Sequence, residues 1–344
     1  MKTKTRKMII SAVILTAVFA LGAFAYQAEQ PYPKEPNPDW VASVSGPDVS
    51  RETVLFASGE LSLEGDLILP AGRAEKKPAV VFITGSGDSL YQNYSPGVVE
   101  TYVQGVFLPR DIAVFYYNKR GMGQSEGSWL NNDFQGRADD TSAAVEFLRS
   151  HPSIDPDRIG VIGHSQGGWI ANLTAAQHDE LAFFISLAGP TTSVEGNMED
   201  NYRGFLMCED GFQGEELEDR IQRQLRLTKL GAAIGRVIPV GVIGFDTHII
   251  DYDPIDAIKS VPVPGLFVYG EHDTIVFADR NQQRFNEIFG GSPPEHLQVA
   301  IIPQATHIFR VTPDMCTSRA DSLEMPLSED LVQVLDDWLA EIGY

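Results

Sequence analysis

Ile159-Gly160-Val161-Ile162-Gly163-His164-Ser165-Gln166-Gly167-Gly168-Trp169-Ile170-Ala171 decides how this chain of 344 residues is read. The first four residues are a short run rich in β-branched side chains, and a helical stretch expected over 167–177 begins almost at once. Between them Gly163 and Gly167 bracket Ser165. A strand that becomes a helix within a few residues needs a tight, strained turn, which glycines permit and which lifts the serine hydroxyl to the rim of a sheet. The same G-x-S-x-G spacing recurs at Gly123-Gln124-Ser125-Glu126-Gly127, several residues past its strand and leading into the polar Asn131, Asn132 and Asp133. Context therefore makes Ser165 the candidate nucleophile and Ser125 a turn residue.

On either side of this turn the pattern is strand, then helix. Residues 52–57 and 63–69 flank a short polar turn and read as an antiparallel hairpin. Continuous apolar runs follow at 79–84, 112–117, 159–162, 183–187, 266–269 and 299–302, the signature of strands covered on both faces. Helical stretches are expected at 137–149, 167–177, 279–288 and 328–342. This alternation predicts an α/β fold, a mostly parallel twisted sheet with an antiparallel N-terminal pair and helices on both faces. Residues 191–260 interrupt it: Leu217, Ile221 and Leu225 recur at helical spacing, and an apolar stretch follows (Ile234, Val237, Ile238, Val240, Val242, Ile243). Its place in the chain suggests a helical lid over the carboxyl ends of the strands, where such sheets bind ligands.

The first 25 residues stand apart. Lys2, Lys4, Arg6 and Lys7 precede an apolar run, 8–25, that ends in Ala23-Phe24-Ala25, a signal-peptidase-like site. Residues 8–25 are also long enough to serve as an uncleaved membrane anchor. Either way the body is expected outside the cytoplasm, periplasmic or secreted. Residues 26–50, with Pro31, Pro33, Pro36 and Pro38, read as a Pro-rich linker, which leaves 51–344 as the folded domain. The formal net charge is −21, from 26 Lys and Arg against 47 Asp and Glu, and so excludes a general nucleic-acid binder. Two cysteines, Cys208 and Cys316, exclude a disulfide scaffold or a CxxC zinc site; they either form one disulfide or stay as thiols.

A serine hydroxyl needs a base with a pKa near neutrality, which points to histidine. His307 follows the last strand in a loop before the C-terminal helix, where its ring would hang over the sheet's edge, whereas His164 should point away from Ser165. A carboxylate must then fix the histidine tautomer. Asp273, at the end of the 266–269 strand, is chosen over Glu271, Asp251 and Asp253. The oxyanion needs two backbone donors, and those of Ser86 and Gln166 are the candidates. Gly85-Ser86-Gly87-Asp88 lacks the Lys-Ser/Thr of a phosphate loop and the third glycine of a dinucleotide site.

Together these residues resemble the α/β-hydrolase superfamily, and within it bacterial esterases and serine-aminopeptidase-like hydrolases. The likeness rests on the G-S-G loop at Gly85-Ser86-Gly87, on Tyr117-Asn118-Lys119-Arg120-Gly121-Met122-Gly123-Gln124-Ser125-Glu126-Gly127, and on Gly163-His164-Ser165-Gln166-Gly167-Gly168. Thr84 stands where many relatives carry histidine, and Asn118 where aspartate is commoner. The resemblance implies a Ser165, Asp273, His307 triad and a serine hydrolase acting on a small-molecule carboxylic ester through an acyl-enzyme; the leader makes it an exported one, and the triad chemistry needs no metal or organic cofactor. Aminopeptidase-like or thioesterase chemistry, and a non-catalytic binding member of the fold, remain the alternatives. Acyl and alcohol specificity and oligomeric partners are not specified.

Overall fold

The structure, a computed structural model, describes residues 36–71, 76–94, 97–237 and 247–344. The expected leader, the first part of the linker and residues 238–246 of the insert lie outside the described residues. Eight strands form one sheet: β1 (Val49–Ser58), β2 (Leu61–Pro70), β3 (Lys77–Ile83), β4 (Ala113–Tyr117), β5 (Ile154–His164), β6 (Phe184–Leu187), β7 (Gly265–Gly270) and β8 (Leu297–Ile302). Their order is β1-β2-β4-β3-β5-β6-β7-β8. β2 runs antiparallel to both β1 and β4, and every later pairing is parallel. The expected architecture is thus found, with all eight predicted strands in place.

Two-sided burial explains the apolar runs. Along β3, Ala79, Val81 and Ile83 enter one core while Val80 and Phe82 enter the other. β4 repeats the alternation, with Ala113, Phe115 and Tyr117 against Val114 and Tyr116. The helices Phe134–Ser150, Gln166–Gln177 and Ala278–Ile288 cover the first face. The second is covered by a π-helix, Val98–Gln104, that runs on into Gly105–Phe107, and by the C-terminal helix Glu329–Glu341.

The linker expected over 26–50 is corrected by its second half. Pro38–Ser43 is a helix capped by Asn37, and Trp40 is fully buried, edge-on to Tyr91 and Tyr116. Burying an indole outweighs the extended bias of the prolines, and Pro38 occupies the first helical turn, where its missing N–H costs little. β1 accordingly starts at Val49, inside the span assigned to the linker.

Strand order reverses at β3, whose neighbours β4 and β5 leave in opposite directions. A parallel sheet opens a crevice at the carboxyl ends of such strands. Into it project the Gly85-Ser86-Gly87 loop after β3 and Ser165 after β5. Between β6 and β7 the chain makes the expected excursion, carrying the helices Val194–Cys208 and Gly214–Gly235. The first is fastened to the body by Arg280, whose guanidinium lies 2.5 Å from Asp200 and 3.2 Å from Glu199. Cys208, at its end, is disulfide-bonded to Cys316 in the loop after β8, closing a span of 108 residues.

Candidate active site

Ser165 sits between β5 and the helix Gln166–Gln177 with φ 56° and ψ −125°, a conformation that L-residues avoid. The turn is held by the Ser165 N–H, which donates to the Leu187 carbonyl (2.8 Å), and by the Ser165 carbonyl, which accepts from the Gly168 N–H (2.8 Å). Both flanking glycines are sterically required. A Cβ on Gly163 would collide with the Gly167 carbonyl, and one on Gly167 with the Ile83 carbonyl. Ser125, the other match to the motif, is buried; its hydroxyl donates to the Asn118 carbonyl (2.9 Å) and accepts from the Glu64 N–H (2.9 Å). That pairing ties the 118–126 turn to β2, as expected of a structural residue.

Asp273 is fully buried at the end of β7 and divides its carboxylate between two tasks. Oδ1 accepts from the N–H groups of Ile275 (2.7 Å) and Val276 (2.9 Å), while Oδ2 lies 2.7 Å from His307 Nδ1. An ionised carboxylate only accepts, so Nδ1 carries the proton and Nε2 is left as the basic nitrogen. The rival carboxylates are engaged elsewhere: Glu271 accepts from the Gln304 N–H, Asp251 pairs with Arg236, and Asp253 pairs with Arg284. Ser165 and His307 line one cavity, together with Ser86, Gln166 and His164. No hydrogen bond joins Ser165 Oγ to His307 among the described residues; such contacts are often long before substrate arrives.

His164 is buried, reaches the wall of the same cavity, and has a task there that the sequence did not suggest. Its Nε2 lies 2.8 Å from the His307 carbonyl, which can only accept, so Nε2 carries the proton. Nδ1 then accepts from the Tyr94 hydroxyl at 2.7 Å. Burial pushes the His164 pKa down to about 3, helped by the neighbouring His307. The unfolded chain therefore binds this proton at a higher pH than the folded one does. Stability from this site is complete above about 6.5, the ordinary histidine value, and is lost as pH falls toward 3. Thermal unfolding should show a midpoint that drops over that window, and the drop should be shallower in His164→Gln; an unchanged slope in the variant would refute the assignment.

The cavity measures about 860 Å³. Its wall is mixed, with apolar Trp169, Met198, Phe205 and Ile249 beside polar Asn93, Asn197 and Asn201. Met198, Phe205 and Asn201 come from the first insert helix, so the insert roofs the cavity that holds Ser165. Cys208 and Glu209 at that helix's end reach the same wall, and Met315 and Thr317 beside Cys316 face them. Gln166 is the first residue of its helix, so its N–H has no intrahelical partner. Among the described residues no cluster of three or more His, Cys, Asp or Glu side chains is placed to hold a metal ion. The sequence reading missed Tyr94 and the insert residues on the wall. Tyr94 belongs to no motif and meets the site only through the folded path of the chain after β3.

The sequence profile of the X-Pro dipeptidyl-peptidase (S15 family) matches residues 59–231. That span includes Ser165 and both candidate oxyanion donors but ends before Asp273 and His307. Among curated proteins, the chain is 34% identical over 152 residues to the polyketide transferase claH of Penicillium crustosum, covering 41% of this chain and 44% of that one. It is 30% identical over 146 residues to the uncharacterized peptidase YtmA of Bacillus subtilis, covering 41% and 52%. The matched region thus spans about half the length of these relatives. Among solved structures, an esterase of Pyrococcus furiosus superposes with a TM-score of 0.59 over 92% of this chain and 97% of that one, at 15% identity, which establishes a shared fold.

Proposed function

Because the chain belongs to the X-Pro dipeptidyl-peptidase family (S15 family), a family of hydrolases on the α/β-hydrolase fold, we propose that it is a serine hydrolase cleaving a small carboxylic ester through an acyl-enzyme. The observation that carries this reading is the placement of strained Ser165 on one cavity wall with a histidine whose Nδ1 is held 2.7 Å from a buried carboxylate. Ser165 Oγ attacks the carbonyl carbon and passes its proton to His307 Nε2. The negative oxygen of the tetrahedral intermediate is received by the N–H groups of Ser86 and Gln166. As the intermediate collapses, His307 delivers the proton to the leaving alkoxide, leaving Ser165 acylated. Water, deprotonated by His307, then releases the acid and restores the serine. Asp273 keeps His307 in the required tautomer and stabilises its charged form.

Ester specificity is supported by the wall's composition. Glu209, an exposed residue, is the one carboxylate among the described lining residues; beside three histidines the rest of the wall offers amides, hydroxyls and apolar side chains. Such a wall suits a neutral substrate better than one read through a charged terminus. Peptide hydrolysis is the second reading, favoured by the family's description and by Glu209, whose place at a helix C-terminus suits an amine. Export to an oxidising compartment belongs to the same proposal, and the Cys208–Cys316 disulfide supports it. The segment 191–260 is proposed to act as the lid.

The test is a panel of p-nitrophenyl esters from acetyl to palmitoyl beside aminoacyl- and X-prolyl-p-nitroanilides, with fluorophosphonate labelling mapped by mass spectrometry. The expected result is ester turnover with higher kcat/KM than any anilide, and label on Ser165. Anilide cleavage without ester preference would move the assignment to a peptidase. Neither turnover nor label would leave a binding protein on a hydrolase fold.

A further inference from the structure

The Tyr117-Asn118-Lys119-Arg120-Gly121 segment and the start of the helix Phe134–Ser150 each send a buried cation to the backbone segments that carry the candidate oxyanion donors. Lys119, 5% exposed, lies just beyond β4 and donates from Nζ to the Gly85 carbonyl (3.0 Å) and to the Gly87 carbonyl. Arg137, 4% exposed, donates from one guanidinium nitrogen to the Thr84 carbonyl (2.6 Å) and from another to Gln166 Oε1 (2.5 Å). The three backbone oxygens of the loop after β3 that these groups hold are thus turned away from the cavity, onto two positive charges.

Peptide planarity gives this a consequence. In a trans peptide the carbonyl and the following N–H belong to one rigid plane and point in opposite directions. Holding the Gly85 carbonyl against Lys119 therefore aims the Ser86 N–H the other way, and Ser86 lies on the cavity wall. Arg137 acts at a second point. Its planar fork takes one acceptor from the loop after β3 and one from the residue that follows Ser165, so it sets the spacing between the two backbone segments that carry the candidate donors. A lysine ammonium at that position has no such fork. Burial lowers the Arg137 pKa, yet a guanidinium keeps its proton throughout the working range.

We propose that Lys119 and Arg137 are positioning residues of the oxyanion hole, Lys119 aiming the Ser86 N–H and Arg137 fixing its separation from the Gln166 N–H. This rests on the serine-hydrolase reading above. Donors that are already aimed need no reorganisation as charge develops on the carbonyl oxygen, so the two cations act on the transition state and leave substrate binding largely unchanged.

The experiment uses the whole protein as wild type, Lys119→Met, Lys119→Arg and Arg137→Lys. It measures kcat and KM on the best p-nitrophenyl ester and the affinity for an alkylboronic acid. The boronic acid forms an O–B bond with Ser165 Oγ as the hydroxyl proton passes to His307, and the resulting tetrahedral adduct places an oxygen in the hole. Lys119→Met is expected to lower kcat about 100-fold with KM within about threefold, and Arg137→Lys to lower it about tenfold. Boronate affinity should fall by the same factor as kcat/KM in each variant, which a change in stability alone would not produce. Thermal unfolding checks that each variant folds. Should Lys119→Met not fold, Lys119→Arg keeps the charge but displaces both carbonyls, and is expected to lose kcat and boronate affinity together. Folded variants with kcat and boronate affinity both close to wild type would overturn the positioning role. A wild type with no turnover and no boronate binding would instead overturn the hydrolase reading, and this inference with it.

Discussion

Ser165→Ala should lower ester hydrolysis by about 10⁴- to 10⁶-fold while leaving the protein folded. The size of the loss follows from covalent catalysis: without Oγ no acyl-enzyme forms, and only the slower attack of water in a cavity that still polarises the carbonyl remains. Folding is spared because alanine meets the same backbone restriction as serine at φ 56° and creates no new clash. Ser165→Gly separates the two consequences of the turn. Glycine accepts this conformation without the cost of order 1–3 kcal/mol that an L-side chain bears there. After allowing for its greater freedom in the unfolded chain, Ser165→Gly should be more stable than wild type by about 1 kcal/mol, and just as inactive. Steady-state kinetics and chemical denaturation on the three proteins check both halves. A Ser165→Ala variant that kept its turnover would place the nucleophile elsewhere, and a glycine variant less stable than wild type would show that the turn holds no strain.

The sheet was legible because each strand is buried on both faces, and two-sided burial writes itself as an unbroken apolar run. Phe82 and Val81 face different cores, so neither can be polar. The elbow was legible because local sterics leave no residue but glycine at 163 and 167. Asp273 and His307 were reachable because a site at the carboxyl end of a parallel sheet draws on the residues that follow its strands. What escaped the sequence depends on distant parts of the chain. Trp40 follows Pro36 and Pro38, and its burial against Tyr91 and Tyr116, distant in the chain, favours the helix Pro38–Ser43 over the extended reading. The π-helix Val98–Gln104 buries Val98, Val99, Tyr102 and Val103 at ordinary amphipathic spacing, but the segment is too short for that pattern to stand out between the two strands it joins. His164 and Tyr94 are joined across 70 residues, Lys119 reaches Gly85 across 34, and Arg137 reaches Thr84 across 53, none of which a local pattern encodes. The disulfide, undecided on the sequence, closes because the insert helix ends beside the loop after β8.

Asp273→Asn should reduce kcat by about 10⁴-fold at neutral pH with little change in KM or in folding. The reason lies in how the carboxylate is shared. Oδ1 accepts two backbone N–H groups, from Ile275 and Val276, and an amide oxygen at that position accepts them equally well. The loop after β7 therefore keeps its shape, and the amide oxygen stays where those two donors hold it. The NH₂ group must then take the place of Oδ2, facing His307 Nδ1 2.7 Å away. A donor now meets Nδ1, so the neutral imidazole accepts there and moves its proton to Nε2, the nitrogen that should receive the serine proton. The base is present but in the wrong tautomer, and the imidazolium formed during attack has lost the fully buried counter-charge beside it. Glu271 cannot substitute, because its carboxylate is bound to the Gln304 N–H. Raising the pH should recover part of the rate, since hydroxide replaces the missing base, so the variant's pH–rate profile should climb where the wild type's is flat. Proton NMR of the His307 Nδ1–H offers an independent check. A deshielded resonance is expected in the wild type and should vanish in Asp273→Asn. A variant that kept wild-type kcat at neutral pH would remove Asp273 from the triad, whatever the 2.7 Å contact suggests.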